Sequence, residues 1–389
     1  MRTLLIAVSI IAGLTVVAPA GVGDGADLSA DLAATLEEFR ARYGFPGATA
    51  AIALPDGTIV TAATGLADVE FARGMTSDTP MLAASIGKTF VAATVLALES
   101  EGLLRQADLL ADHLGDHAWF EDLPNAESIT IDHLLRHRAG LPDHVHLPEF
   151  QAAWTRIAGG EGAFSPEDLV GFVVGQEPLF EAGTGWAYSD TGYVLLGLVI
   201  EAVTGRRYHQ IVRERFLAPL ALTGTFPSNR RDLPGLAVGY TIPGNPSGLP
   251  ARTADADGRL LWDPAVEWTG GGLASTSQDL ARWGHLLFNG KALADPYLDR
   301  MLDGAPVAPH TPGILYGAGV AIYADTPRGS VYGHGGWIPG YVSSLRHYAD
   351  HGITVAFQIN TDAGVLDDTS ELVPALEAAL AELAMGAGQ

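Results

Sequence analysis

The sequence predicts an α+β fold: an antiparallel β-sheet flanked by helices, with a mostly helical domain inserted into it. Three observations predict this. Short apolar runs bounded by turn residues cluster near both ends of the chain. A helical apolar stripe precedes the first run and another follows the last. The stretch between carries helical periodicity broken by glycine- and proline-rich connections. Two strands alone are marginal in water, so the economical arrangement joins both chain ends in one sheet.

Taken in order, "MRTLLIAVSIIAGLTVVAPAG" has a basic start, an apolar run and a small-residue ending at Ala18-Pro19-Ala20. That pattern predicts a signal peptide over 1–20, a secreted or periplasmic protein, and no stable membrane insertion after cleavage. "ADLSADLAATLEEFRARYG" sets Leu28, Leu32, Leu36, Phe39 and Tyr43 on one helical face. "GATAAIALPDGTIVTAATG" reads as a hairpin turning at Asp56-Gly57. "SIGKTFVAATVLALESEG" reads as a helix that Ser85 and Lys88 open. In the middle, "SDTGYVLLGLVIEAVTG" is the strongest helix, closed by Gly205. Residues 226–267, rich in Pro, Gly and Asp, read as a long surface excursion. "STSQDLARWGHLLFNG" opens with a capping-box pattern at Ser275 and Gln278. "GAGVAIYAD", "YVSSLRHYAD" and "GITVAFQIN" supply further strands, and Leu372, Leu376, Leu380 and Leu383 mark the last helix. The expected domains are 26–104 plus 268–389, carrying the sheet, and 105–267, mostly helical. The site is expected in the cleft between them.

Composition narrows the function. A net charge of −23 argues against nucleic acid and anionic membrane surfaces as partners, since both need clustered cations. The chain has no cysteine, which removes disulfides, thiol nucleophiles, lipid-anchor cysteines and cysteine-based metal sites.

The segment "AASIGKTF" admits two chemistries. Its Gly87-Lys88-Thr89 ending resembles a phosphate-binding loop, but Leu82 stands where that loop needs a glycine. The alternative is a serine nucleophile, Ser85, with a lysine base three residues on. Lysine usage favours it. The chain has 22 Lys and Arg in all, and only Lys88 and Lys291 are lysines. Arginine serves elsewhere as the cation, and arginine cannot lose its proton whereas a buried lysine can. Such a lysine needs its pKa lowered by about three units from ~10.4 to act as a base near neutrality.

Two other stretches supply helping groups. "FEAGTGWAYSDTGYVLLG" puts Tyr188, Ser189 and Asp190 at the mouth of the strong middle helix. "YGHGGWIPGYVSS" puts His334, Gly335 and Gly336 where a strand should begin, with glycines that would let a substrate lie close to the backbone. The residues alone leave alternatives. Tyr188 suits a core aromatic, Asp190 a helix cap, His334 a strand edge, and Gly335-Gly336 a turn. A zinc site is a rival reading of His133, His137, Asp143, His144 and His146, without the H-E-x-x-H pattern.

The three stretches together resemble the motifs of the serine β-lactamase and penicillin-binding superfamily. The version here is similar to its class C β-lactamase and D-alanyl-D-alanine carboxypeptidase branch, with esterase and D-aminopeptidase relatives. The resemblance spans about residues 30 to 362 and includes "ITIDHLLRHRAGLPD" and "GGLASTSQDLARW" in the family's order. It implies that Ser85 is the nucleophile, Lys88 its base, and Tyr188 the proton shuttle. It implies His334 as the third-motif catalytic residue, and Asp190, Gly335, Gly336 and Trp337 as substrate-binding. The oxyanion hole would be the backbone N–H groups of Ser85 and Trp337. No metal or organic cofactor is implied, and the histidine segment corresponds to a structural helix-turn. The family usually has asparagine where this chain has Asp190, which leaves amide recognition there open. The implied activity is an exported serine hydrolase working through an acyl-enzyme on small amides, peptides or esters. A D-alanyl-D-alanine carboxypeptidase-like peptidase leads. An esterase, a β-lactamase or a non-turnover penicillin-binding sensor are the alternatives.

Overall fold

The computed structural model describes residues 23–157, 162–307, 313–363 and 371–386. The expected signal peptide lies outside the described residues. No helix among those described is long and apolar enough to cross a membrane.

From the start of the chain come β1 (Gly47–Ala53), β2 (Ile59–Asp68) and β3 (Arg73–Gly74). Short strands β4 (Met81–Leu82), β5 (Phe226–Pro227) and β6 (Leu273–Ser275) form a separate small sheet. From the end come β7 (Ala305–Pro306), β8 (Ile314–Tyr316), β9 (Ala321–Thr326), β10 (Gly329–Ile338), β11 (Tyr341–Tyr348) and β12 (Ile353–Ile359). The main sheet is antiparallel, in the order β3-β2-β1-β12-β11-β10-β9-β8-β7. Both chain ends therefore share one sheet, joined where Ala50 faces Phe357 across β1 and β12.

The central strands are buried on both faces. In β1, Ala50 and Ile52 pack toward the terminal helices, while Ala51 and Ala53 join the core on the other side. The terminal helices Gly23–Tyr43 and Leu372–Gly386 cover the first face. Leu28, Leu32, Leu36 and Phe39 are buried there with Leu372, Leu376 and Leu380, whereas Tyr43 and Leu383 are partly exposed. Each such leucine contributes roughly 1.5–3 kcal/mol by leaving water. On the second face the helix Ser277–Phe288 lies across the sheet, close enough that a Cβ on Gly284 would meet Leu345 and Thr354 at 2.8 and 2.9 Å. Its N-cap is Thr276, whose hydroxyl accepts from the Asp279 N–H at 3.1 Å. The expected cap at Ser275 is thus displaced by one residue, because Ser275 still belongs to β6.

Two further expectations are corrected. His334 to Trp337 do not open a strand; they form the second half of the ten-residue β10. Pairing with β9 ends at Gly333, so the edge from His334 onward is left uncovered by that strand. Residues 226–267 are irregular after β5 but are not a surface excursion. Their backbone groups bond into the core, with Val238 N–H to Ala67 O at 2.7 Å and Tyr240 N–H to Asn360 O at 3.1 Å. Trp262 is only 1% exposed. A segment without period can still be buried when its amides find partners on neighbouring strands.

Candidate active site

Ser85 lies in a 3-10 turn, Ala84–Ile86, that leads into the helix Gly87–Ser100. The turn is held from several sides. Ala83 N–H donates to Leu273 O of β6 at 2.9 Å, and Ser343 Oγ of β11 donates to Ala83 O at 2.8 Å. Ala84 takes a left-handed backbone, φ 48°, which costs a non-glycine residue energy. Below the turn runs Gly270-Gly271-Gly272. A Cβ on Gly271 would sit 2.5 Å from the Ala84 carbonyl carbon and 2.9 Å from Ser85 N.

One helical turn on, Lys88 is completely buried. Its Nζ lies 3.0 Å from Ser85 Oγ and donates to Asp190 Oδ1 and to the Gly270 carbonyl. Tyr188 OH donates to Ser85 Oγ at 2.8 Å, and the Lys88 Nζ lies 4.9 Å from the Tyr188 ring centre. Four of the residues singled out in the sequence thus meet in one hydrogen-bonded group. Asp190 is not a cap: it is the first residue of the helix Asp190–Thr204, after the N-cap Ser189, and its carboxylate faces Lys88.

The electrostatics follow from this arrangement. Burial pushes the Lys88 pKa down, but attraction to Asp190 and then to Tyr188 outweighs burial and holds it above the ordinary lysine range. Burial raises the Tyr188 phenol, with the Lys88 charge pulling the other way. The lysine is therefore at rest an ammonium paired with Asp190, the reverse of the depression that a base requires.

The third stretch stands behind this group. His334 Nδ1 faces the Gly335 carbonyl, an acceptor, so that nitrogen carries the proton and Nε2 accepts from Tyr316 OH at 2.9 Å. Burial, then the Lys88 charge, push the His334 pKa down to about 3, so it is neutral. Its ring centre lies 6.2 Å from that of Tyr188. A Cβ on Gly336 would stand 2.3 Å from Ala83 O and 2.3 Å from Ser343 Oγ. This glycine thus makes room for the turn that carries Ser85. Gly335 has no such constraint, and Trp337, paired with Val342, is half-buried on the uncovered edge.

The histidine segment separates. His133 Nδ1 accepts from Thr130 N–H at 3.3 Å. His137 packs against the rings of Tyr188 and Tyr316 at 4.2 and 4.7 Å, and its Nδ1 accepts from Ser189 N–H. His144 Nδ1 lies 3.0 Å from Thr191 Oγ1, and His146 points to solvent. Among the described residues no three His, Asp or Glu side chains form a metal-binding group.

Beside Asp190 opens a cavity of about 240 Å³. Its walls include Trp154, Val194, Trp262 and Trp337, and its carboxyls are Asp190 and Glu267. Burial, then the Asp190 charge, hold Glu267 up to about 8, with Lys88 pulling the other way. Asp143, close by, is likewise held up to about 8 by burial and then by Asp190. Glu267 carried no signal in the sequence, since it belongs to no periodic element or recognisable motif, and Asp143 was noticed only as a member of the rival zinc reading.

The beta-lactamase family pattern matches residues 32–380. The chain belongs to the beta-lactamase family. It is similar to Penicillin-binding protein 4 of Amycolatopsis lactamdurans, 27% identical over 83% of each chain. It is 25% identical to a D-aminopeptidase of Brucella anthropi over 85% of this chain and 59% of that one. It spans 64% and 58% of two Bacillus subtilis penicillin-binding proteins. Among solved structures, a D-stereospecific amidohydrolase from Streptomyces sp. matches with TM-score 0.76 and 28% identity, covering 89% of this chain and 98% of that one. The D-amino acid amidase from Ochrobactrum anthropi complexed with D-phenylalanine matches with TM-score 0.77 and 26% identity, covering 92% and 99%. The sheet flanked by helices is the architecture of these neighbours.

Proposed function

We propose that this protein is a serine amidase or peptidase that forms an acyl-enzyme on Ser85. The observation that carries the reading is the convergence of Tyr188 OH and Lys88 Nζ on Ser85 Oγ, at 2.8 and 3.0 Å. The family membership and the amidase and aminopeptidase relatives support it.

In this reading Ser85 Oγ attacks the carbonyl carbon of a small amide, and the hydroxyl proton passes to the Lys88–Tyr188 pair. The carbonyl oxygen becomes an oxyanion facing the backbone N–H groups of Ser85 and Trp337. The C–N bond then breaks, and Tyr188 returns the proton to the departing nitrogen. Water attacks the resulting ester and releases the acid, restoring Ser85. Because Lys88 rests as an ammonium, the proton-accepting form of the pair arises by losing one proton. His334 orients the strand edge behind Tyr188 and stays neutral.

A fluorophosphonate probe tests the assignment. The adduct should map to the Ser85 peptide, and Ser85→Ala should neither label nor turn over p-nitrophenyl acetate. A label on another serine in the wild type would refute the reading.

A carboxypeptidase has to hold a free substrate carboxylate, yet among the described residues no Lys or Arg lines the cavity beside Asp190. That observation favours release of an amide or peptide from the amine-bearing side, as in the D-aminopeptidase and D-amino acid amidase relatives.

A further inference from the structure

Glu267 is placed where a substrate can be recognised and has nothing of its own to hold. It lines the cavity with Asp190, and among the described residues it makes no hydrogen bond and no ion pair. Asp190 is already paired with Lys88, the one cation of this group. The pair thus leaves one carboxyl, Glu267, unmatched in a recess of low polarity. Glu267 is half-buried, and a carboxyl partly shielded from water with no partner of its own is met either by protonation or by a cation.

The rest of the cavity says what sort of cation. The indole N–H of Trp154 is fixed on Ser247 O at 3.0 Å, and its ring lies 5.4 Å from that of Trp262. Trp262 is 1% exposed, yet its indole N–H has no acceptor among the described residues. The Trp337 N–H is in the same condition. Aromatic walls beside a carboxylate suit an ammonium carried on a large apolar group, the faces of the rings adding attraction for the cation. A bare metal ion would find too few oxygen ligands, and an anion would meet two carboxyls.

We infer that this cavity is the acyl-side pocket of the enzyme, that Glu267 binds the free α-ammonium of the substrate, and that the tryptophan walls take a large apolar side chain. The preferred substrates are amides of aromatic or large aliphatic amino acids with an unblocked amine. This inference rests on the acyl-enzyme reading of Ser85 and adds to it a residue and a substrate class.

The test compares either enantiomer of phenylalanine p-nitroanilide with its N-acetyl derivative, in wild type and in Glu267→Gln. The wild type should favour the free amine at least 10-fold in kcat/KM. In Glu267→Gln that ratio should collapse toward one, chiefly through KM. A wild-type ratio near one, or a ratio that Glu267→Gln leaves unchanged, overturns the inference. Should the variant fail to fold, inhibition of wild-type p-nitrophenyl acetate hydrolysis decides. Phenethylamine should compete at least 10-fold more tightly than 3-phenylpropionate, and the reverse order overturns the inference. If the ester is turned over and Ser85 labels while neither anilide is cleaved, only this inference fails. If nothing is turned over and Ser85 does not label, the hydrolase reading fails and takes the inference with it.

Discussion

The Lys88–Asp190 ion pair sets the charge state of the site. Asparagine at position 190 would remove the attraction that outweighs burial at Lys88. With only the pull of Tyr188 left against burial, the lysine pKa falls, giving the neutral amine at lower pH. The expected outcome in Asp190→Asn is a rising limb of the kcat/KM–pH profile displaced acidward by at least about 1 unit. The wild-type rate should still be climbing at alkaline pH. A superimposable profile in the variant would refute this. Lys88→Arg should lose at least about 100-fold in kcat, because a guanidinium does not accept a proton; retention of most activity would reduce Lys88 to a fixed charge. From sequence, the residue types and spacing of this group were legible. The direction of the Asp190 carboxylate was not, since a first-turn aspartate serves equally as a cap or a ligand until the Lys88 helix is docked against it.

At the scale of elements, the nucleophile's turn is a close fit between the Gly270–Gly272 run, β6 and the β10–β11 pair. Gly271→Ala should therefore displace Ser85 and lower kcat at least about 10-fold, with slower fluorophosphonate labelling. Gly74→Ala is the matched control: a Cβ there meets nothing within 4 Å, and activity should be unchanged. Equal loss in both would mean that the effect is not local. Strands β1, β2, β9, β11 and β12 and both terminal helices were legible because alternation and helical spacing survive in them, as in "GITVAFQIN" and the Leu372–Leu380 stripe. The segment that delivers Trp262 and Glu267 was not, because its path is dictated by partners such as Ala67 and Asn360 far away in the chain. For Gly336 the sequence did not show one reason that the fold supplies: its missing side chain accommodates Ala83 and Ser343 within the protein.

For the whole molecule, the sheet separates two cores, one under the terminal helices and one under the site. Leu376, fully buried on the helix side, belongs to the first. Leu376→Ala should cost about 2–5 kcal/mol in urea unfolding while the folded enzyme keeps its kcat. A loss of kcat at full folding would mean that the two cores are coupled through the sheet.

The seam between β1 and β12 also imposes a timetable. The opening hairpin finds its central neighbour only when Ile353–Ile359 arrives, far later along the chain. The Ser85 turn likewise waits for Gly271 and Ser343, which follow it by well over a hundred residues. Contacts so distant in the chain close slowly. A nascent chain stopped before β12 would hold Ser85, Lys88, Tyr188 and His334 and still not bring them together, so the proposed centre forms late and all at once.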